Sequence, residues 1–217
     1  MEKFSIIIPT MWKSPLIYKM LKLYIECSVV EEIIIINNGG IPVYASNESD
    51  IIVSPKIRIF HVTNNIYVNA AWNLGAKYAQ HTIILANDDI DISFNHLYAL
   101  LFNISVRYSN YDLIGASINN LSNQRTSISK YDKSNGFPRK SFGCFMVCRK
   151  YIPIPEEMKI LCGDNWLFDH AATVGIIGAG YIETPISVTI KSDPAFNEIG
   201  KRDKEIYRQL IQTNQYK

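Results

Sequence analysis

Residues 84–91 read Ile-Leu-Ala-Asn-Asp-Asp-Ile-Asp, an apolar run that ends in an amide and three carboxylates. Carboxylates this close repel one another unless something neutralises them. A hard divalent cation such as Mg2+ or Mn2+ would do so. Such ions take oxygen ligands, usually one or two protein carboxylates, and a substrate diphosphate completes the coordination. The competing reading is a solvated acidic turn, or a cap cluster ahead of the helix that starts near Ser93.

The elements around the acidic tip decide where it would stand. Residues 4–10 (FSIIIPT) form a β-branched run closed by Pro9 and Thr10, the pattern of a buried parallel strand. A helix is expected over 14–25, with Ser14 as N-cap, Pro15 at the first helical position, and Leu16, Met20 and Leu23 as its apolar stripe. Residues 31–40 (EEIIIINNGG) read as a second buried strand, stopped at Asn37-Asn38-Gly39-Gly40. Residues 57–63 alternate like a third strand, and 69–79 look helical with Asn69 as a cap. Residues 81–86 are the fourth strand, which carries the acidic tip. This β-α-β order, with strands apolar on both faces, predicts a parallel sheet covered by helices. Ligands in such sheets sit at the carboxyl ends of the strands. Three of these ends, at Pro9-Thr10, Asn37-Asn38 and Asn87-Asp88-Asp89, should converge on one crevice.

The second half is less regular. It predicts a helix over 93–107 and strands at 112–116, 142–149 and 180–190, the last broken by Pro185. The polar segment 117–141 reads as a surface excursion. A helix should run from near Asp164 to Gly175, and an amphipathic one over 199–213. With no internal repeat and no linker, residues 1–217 are expected to form one domain.

Bulk properties exclude several classes. A net charge of +2 without a long basic run argues against a nucleic-acid groove. The four cysteines include no CxxC pair, so reduced thiols in a cytoplasmic protein fit better than zinc or disulfides. No apolar stretch approaches the roughly 20 residues that span a bilayer, and the apolar run before Pro9 is too short for a signal peptide.

Four patterns follow in order: strand-Pro-Thr at 6–10, Asn-Asn-Gly at 37–39, Asn-x-x-x-Asn-x-Gly at 69–75, and hydrophobic-Asn-Asp-Asp at 85–89. On these the chain resembles glycosyltransferases of the GT-A fold, family 2 type. It is similar in particular to the small single-domain enzymes of large DNA viruses and bacterial polysaccharide loci. The resemblance covers roughly residues 4–190. It implies an α/β, Rossmann-like and mostly parallel sheet flanked by helices. Residues 1–92 would be the nucleotide-sugar half and 93–217 an irregular acceptor-binding and catalytic half. It also implies a host-cytoplasmic location if the protein is viral.

The resemblance implies a metal-dependent inverting transfer of a sugar from a nucleotide-diphosphate sugar, a UDP-sugar by preference, to a glycan or other hydroxyl acceptor. In the Asp-x-Asp pattern that holds Mn2+ or Mg2+, Asn87 takes the first position, Asp88 the middle and Asp89 the last. Asp89, with Asp88, would carry the metal, and Asn87 would reach ribose or the ion through its amide oxygen. Asp91 reads as a helix-start residue. Pro9, Thr10, Asn37 and Asn38 match the nucleoside-reading strand ends, although the family's usual acid after the second strand is here Asn37-Asn38. Asn69, Asn73 and Gly75 match the helix that lines the nucleotide; for Asn73 the alternative is an exposed helical amide.

The family's general base lies before a helix, where this chain has Asp164. A carboxylate there takes the proton from the attacking hydroxyl, and Asp also favours the N-cap position, so both roles are open. Trp166 could stack on a sugar or belong to the core, and His170 is expected to pack. Lys191 stands where the family often has a metal-binding His, and could instead neutralise a leaving phosphate. Arg139, Lys140 and Arg149 are weaker candidates for phosphate or acceptor, and Asp169 and Glu183 are reserve bases.

Two alternatives remain in different classes. One is a catalytically inactive nucleotide-sugar-binding protein, against which the intact Asp164 and Asp89 count. The other is a sugar nucleotidylyltransferase, which needs a Gly- and Lys/Arg-rich loop after the first strand, whereas residues 9–16 read PTMWKSPL. An NAD enzyme needs strand, GxGxxG and helix in that order, and GIIGAG at 175–180 is expected to follow a helix instead.

Overall fold

In the run Ile6-Ile7-Ile8, alternate side chains serve two different cores. The computed structural model describes residues 1–39, 51–116, 128–138, 142–178, 182 and 195–213. Strand β1 (Phe4–Thr10) lies between β2 (Val30–Asn37) and β4 (Thr82–Ala86), parallel to both. Ile6 and Ile8 point with Ile33 and Ile35 into one apolar cluster. Ile7, with Ile34, Ile36 and Leu85, points into the other. A strand buried on both faces has no use for polar alternation, which is why these runs read as continuous isoleucine.

Helices α1 (Leu16–Glu26) and α3 (Phe94–Arg107) cover the first face through Ile17, Leu21, Tyr24, Leu97, Leu101 and Ile104. The opposite face is covered by α2 (Tyr67–Tyr78), α4 (Gly163–His170) and the partly buried side of α5 (Phe196–Gln212). The remaining strands are β3 (Ile57–His61), β5 (Leu113–Ala116), β6 (Ile128–Lys130), β7 (Phe145–Cys148) and β8 (Val174–Ile177). The described strands make one sheet in the order β3-β2-β1-β4-β7-β5-β8-β6. It is mostly parallel, as expected; β7 runs antiparallel to β4 and β5, and β6 runs antiparallel to β8. No described helix is long and apolar enough to cross a membrane.

Several elements differ from expectation for local reasons. The helix expected to reach Gly175 stops at His170. The Asp112 carboxylate accepts the N–H groups of Ala172 (2.9 Å) and Thr173 (3.1 Å), which turns the chain into β8 beside β5. Gly175 is therefore inside a strand, and the GIIGAG stretch begins in the sheet rather than after a helix. The polar excursion contains β6, held because Ile128 is buried against β8. The strand expected from 142 begins at Phe145, since Phe142–Cys144 forms a 3-10 turn. Asn69 is not a cap: α2 starts at Tyr67, and Asn65 Oδ1 accepts the Tyr67 N–H (2.9 Å). Pro15, not Ser14, is the N-cap residue of α1, although Ser14 Oγ accepts the Leu16 N–H (3.3 Å). Apart from Ile182, the strand expected over 180–190, with its break at Pro185, lies outside the described residues.

Candidate functional site

The carboxyl ends of β1 and β4 are joined by a hydrogen bond. Thr10, buried at the end of β1, donates through Oγ1 to Asp88 Oδ2 (2.7 Å) and accepts the Trp12 N–H (2.8 Å). Burial pushes the Asp88 carboxyl up to about 6; the neighbouring Asp89 charge adds to the rise, and the Thr10 bond opposes it. Burial also raises Asp89. Its Oδ1 is buried with no hydrogen-bond partner. An orphaned carboxylate oxygen beside a second carboxylate suits a divalent cation, which would stabilise the charged form of both. Among the described residues no three His, Cys, Asp or Glu side chains are grouped to hold a metal. A cation here would therefore rest on Asp89 and Asp88, with diphosphate and water oxygens completing its sphere. Asn87 is half-buried beside them, and its N–H donates to Cys144 O (2.9 Å). Asp91 is ion-paired with Lys19 at 2.5 Å instead of starting α3.

The Phe142–Cys144 turn links this tip to α4. Asp164 lies in the first turn of α4, where a negative charge is favourable. Burial raises its carboxyl, against the opposing bond from the Asn165 N–H (3.0 Å). Its side chain lies over Gly143: a Cβ there would be 2.7 Å from Asp164 Oδ2. The Cys144 thiol is pushed up to about 12, by burial first and then by the charges of Asp89 and Asp164. One buried thiol thus feels both the candidate metal ligand and the candidate base. Neither Gly143 nor Cys144 was legible, because Phe-Gly-Cys-Phe-Met-Val reads as plain buried strand.

The second strand end is also polar and buried. Asn37 Nδ2 lies 3.0 Å from His61 Nδ1 on β3, and its Oδ1 is buried without a partner. Asn38 donates its N–H to Thr10 O (2.8 Å), and its Oδ1 accepts the Ile66 N–H (2.8 Å) at the entrance to α2. Pro9 pairs with Ile36 across the β1–β2 ladder. Thr10, Asn37, Asn38, Asn87, Asp88 and Asp89 therefore stand together at the carboxyl edge of neighbouring parallel strands, as expected. Among the described residues, the non-glycine residues with left-handed backbone are Trp12 (φ 59°), Tyr67 (φ 64°) and Cys162 (φ 63°). Trp12 follows β1, Tyr67 opens α2 and Cys162 precedes α4, two residues before Asp164. Such strained conformations persist where surrounding structure over-determines them, and they cluster at functional sites.

Other candidates are employed differently. Asn73 Nδ2 donates to Ile154 O (2.7 Å), and its Oδ1 accepts from Tyr151 Oη (2.7 Å) and the Ile154 N–H (2.9 Å), so it is neither an exposed amide nor free for a nucleotide. Asn69 is buried, with Nδ2 on Met158 O (3.2 Å) and Leu161 O (3.1 Å). Gly75 is where α2 meets β1, since a Cβ there would strike Ile7. Trp166 is core, with Nε1 donating to Pro153 O (3.1 Å), and so does not stack on a sugar; His170 packs on it as expected. Arg149 is ion-paired with Glu2 at 2.6 Å and donates to Tyr111 O (2.9 Å), which removes it as a phosphate contact. Asp169 accepts a hydrogen bond from Tyr207. Lys191, Arg139, Lys140 and Glu183 lie outside the described residues.

No protein-family model matches the chain, and no curated protein matches it. Solved structures do. Residues 1–349 of S. aureus TarS in complex with UDP superpose with a TM-score of 0.58 at 14% identity, covering 83% of this chain and 59% of that one. The same TarS segment in complex with UDP-GlcNAc gives 0.58 at 14% identity, over 91% and 64%. Longer S. aureus TarS gives 0.61 at 13% identity, over 85% and 37%. The chain thus spans less than two thirds of the structures it resembles. Likeness at this identity is a likeness of fold: a mixed α/β architecture with a large, mostly parallel sheet flanked by helices.

Proposed function

We propose that this protein is a metal-dependent, inverting glycosyltransferase that moves a sugar from a nucleotide-diphosphate sugar, a UDP-sugar, to a hydroxyl of a glycan or other acceptor. The reading rests chiefly on one arrangement. The Phe142–Cys144 turn meets both carboxylate candidates: Cys144 O accepts the N–H of Asn87, two residues before Asp89 with its orphaned oxygen, and Gly143 lies under the Asp164 side chain. The fold likeness to a protein solved with UDP and with UDP-GlcNAc supports the donor class. A bound Mn2+ or Mg2+ on Asp89 and Asp88 would neutralise diphosphate charge.

The chain's own groups supply the rest. Thr10, Asn37 and Asn38 would hold the nucleoside, with Pro9 and Asn87 beside it, and the buried Asn37 Oδ1 offers an acceptor to a base N–H. To Lys191 we assign the neutralising of the leaving phosphate, the role the resemblance implies. Asp164 takes the proton from the acceptor hydroxyl as that oxygen bonds to the anomeric carbon. The bond from that carbon to the diphosphate oxygen breaks with its electron pair, and one displacement inverts the centre. A raised carboxyl is a better base for this than an ordinary one.

The decisive experiment measures sugar transfer and UDP binding in Asp164→Asn. The amide keeps an oxygen for the Asn165 N–H but takes no proton at neutral pH. Transfer should fall by roughly two to four orders of magnitude with UDP affinity and melting temperature nearly unchanged. Transfer at the wild-type rate would remove Asp164 as the base.

A further inference from the structure

Asp203 lies on α5, far along the chain from Asp164 in the first turn of α4, within the charged stretch Lys-Arg-Asp-Lys-Glu. The structure buries it completely. Its Oδ1 accepts the Lys159 N–H (3.0 Å), and its Oδ2 accepts those of Ile160 (2.7 Å) and Leu161 (2.8 Å). A carboxylate given wholly to backbone donors makes strong, charge-assisted bonds.

The same segment is held from the other side by α2. The Asn69 N–H donates to Lys159 O (3.0 Å), and Asn69 Nδ2 donates to Met158 O and Leu161 O. Close packing adds to the clamp. Gly200, one helical turn before Asp203, lets α5 approach until a Cβ there would be 2.8 Å from Leu161 Cδ1. Gly163 is packed so tightly that a Cβ would collide with Asn69 Oδ1. Directly after the clamped segment comes Cys162 with its left-handed backbone, then Gly163 and Asp164.

We propose that Asp203 and Asn69 are positioning residues that hold segment 158–161 from opposite sides and so set the place of the Asp164 carboxylate against Gly143. The proposal rests on Asp164 being the base. It gives the terminal helix a part in the chemistry without any contact with substrate. Asp203 has no stabilising alternative in the clamp: replacing it with Asn turns an –NH2 group toward backbone N–H groups that need an acceptor.

The test is the steady-state kinetics of Asp203→Asn in the full chain, with UDP-GlcNAc as the donor probed, alongside melting temperature. The kcat should fall about a hundredfold, the scale of a misplacement of order 1 Å, while the donor KM stays within a factor of about two. Loosening the clamp admits water around Asp164, whose charge is felt by Cys144, Cys162 and Tyr207. Its burial-raised carboxyl should drop, and the acid limb of the kcat–pH profile should move to lower pH. Asp203→Glu, which restores the charge, should recover part of kcat. If Asp203→Asn does not fold, Asn69→Ala loosens the same segment from α2 and carries the same expectations. An unchanged kcat, a loss confined to KM, or an equal loss at every pH overturns the proposal. Wild-type transfer by Asp164→Asn is a separate result: it overturns the base assignment itself.

Discussion

A Cβ on Gly143 would stand 2.7 Å from Oδ2 of Asp164 and 2.9 Å from its Cβ, closer than side chains approach. The Phe142–Cys144 turn that leads into β7 is thus shaped to receive this one carboxylate. Gly143→Ala should displace Asp164 and reduce transfer about a hundredfold while leaving UDP affinity, measured by calorimetry, near wild type. Full activity in Gly143→Ala would show that the place of Asp164 does not matter to the reaction.

The orphaned Asp89 Oδ1 leads to a prediction for the cation. UDP should bind more tightly with Mn2+ than in EDTA, and Asp89→Ala should abolish that difference. Asn87→Ala should weaken it less, because a neutral amide contributes no charge to the ion. Equal UDP affinity in Mn2+ and EDTA would sink the metal assignment.

Asp88 makes the metal-free fold sensitive to pH. Its folded pKa of about 6 lies above the ordinary 3.8, so the native state holds its proton more tightly than the unfolded chain. The stability this contributes is complete below the unfolded value and is lost as pH rises through about 6. Asp88→Asn keeps an acceptor for Thr10 and removes the charge. Its melting temperature, relative to wild type in EDTA, should rise from pH 5 to pH 8, by the equivalent of at most about 1.4 kcal/mol over that window. A constant difference across that range would show that Asp88 is not destabilised when charged.

Asn73 is bonded on both its amide atoms to residues 151 and 154, which fixes the segment leading toward α4. Asn73→Ala leaves the Ile154 N–H and C=O without these partners and should cost about 1–3 kcal/mol in a denaturant titration. UDP affinity should not change. A loss of affinity without a loss of stability would return Asn73 to the nucleotide.

The strand-end half of the candidate site, to which we assign the nucleotide, was legible because short-range pattern determines it. An isoleucine run buried on both faces forces a parallel strand, and such strands present their carboxyl ends along one edge. Polar residues after each run, Thr10, Asn37-Asn38 and Asn87-Asp88-Asp89, therefore had to meet. The proposed catalytic side was legible only as one candidate residue, Asp164. That Asp164 lies over Gly143, or that Asn87 beside Asp89 reaches Cys144 in the same turn, depends on β7 running antiparallel beside β4, a pairing no local pattern encodes. The same limit hid Asp112, which ends α4 early by accepting the N–H groups of Ala172 and Thr173. It also hid Asp203, one charged residue among several in the expected amphipathic helix, whose partners are the N–H groups of Lys159, Ile160 and Leu161. A single sequence records which groups need hydrogen-bond partners; only the packed chain decides which backbone donors, scores of residues away, those partners are.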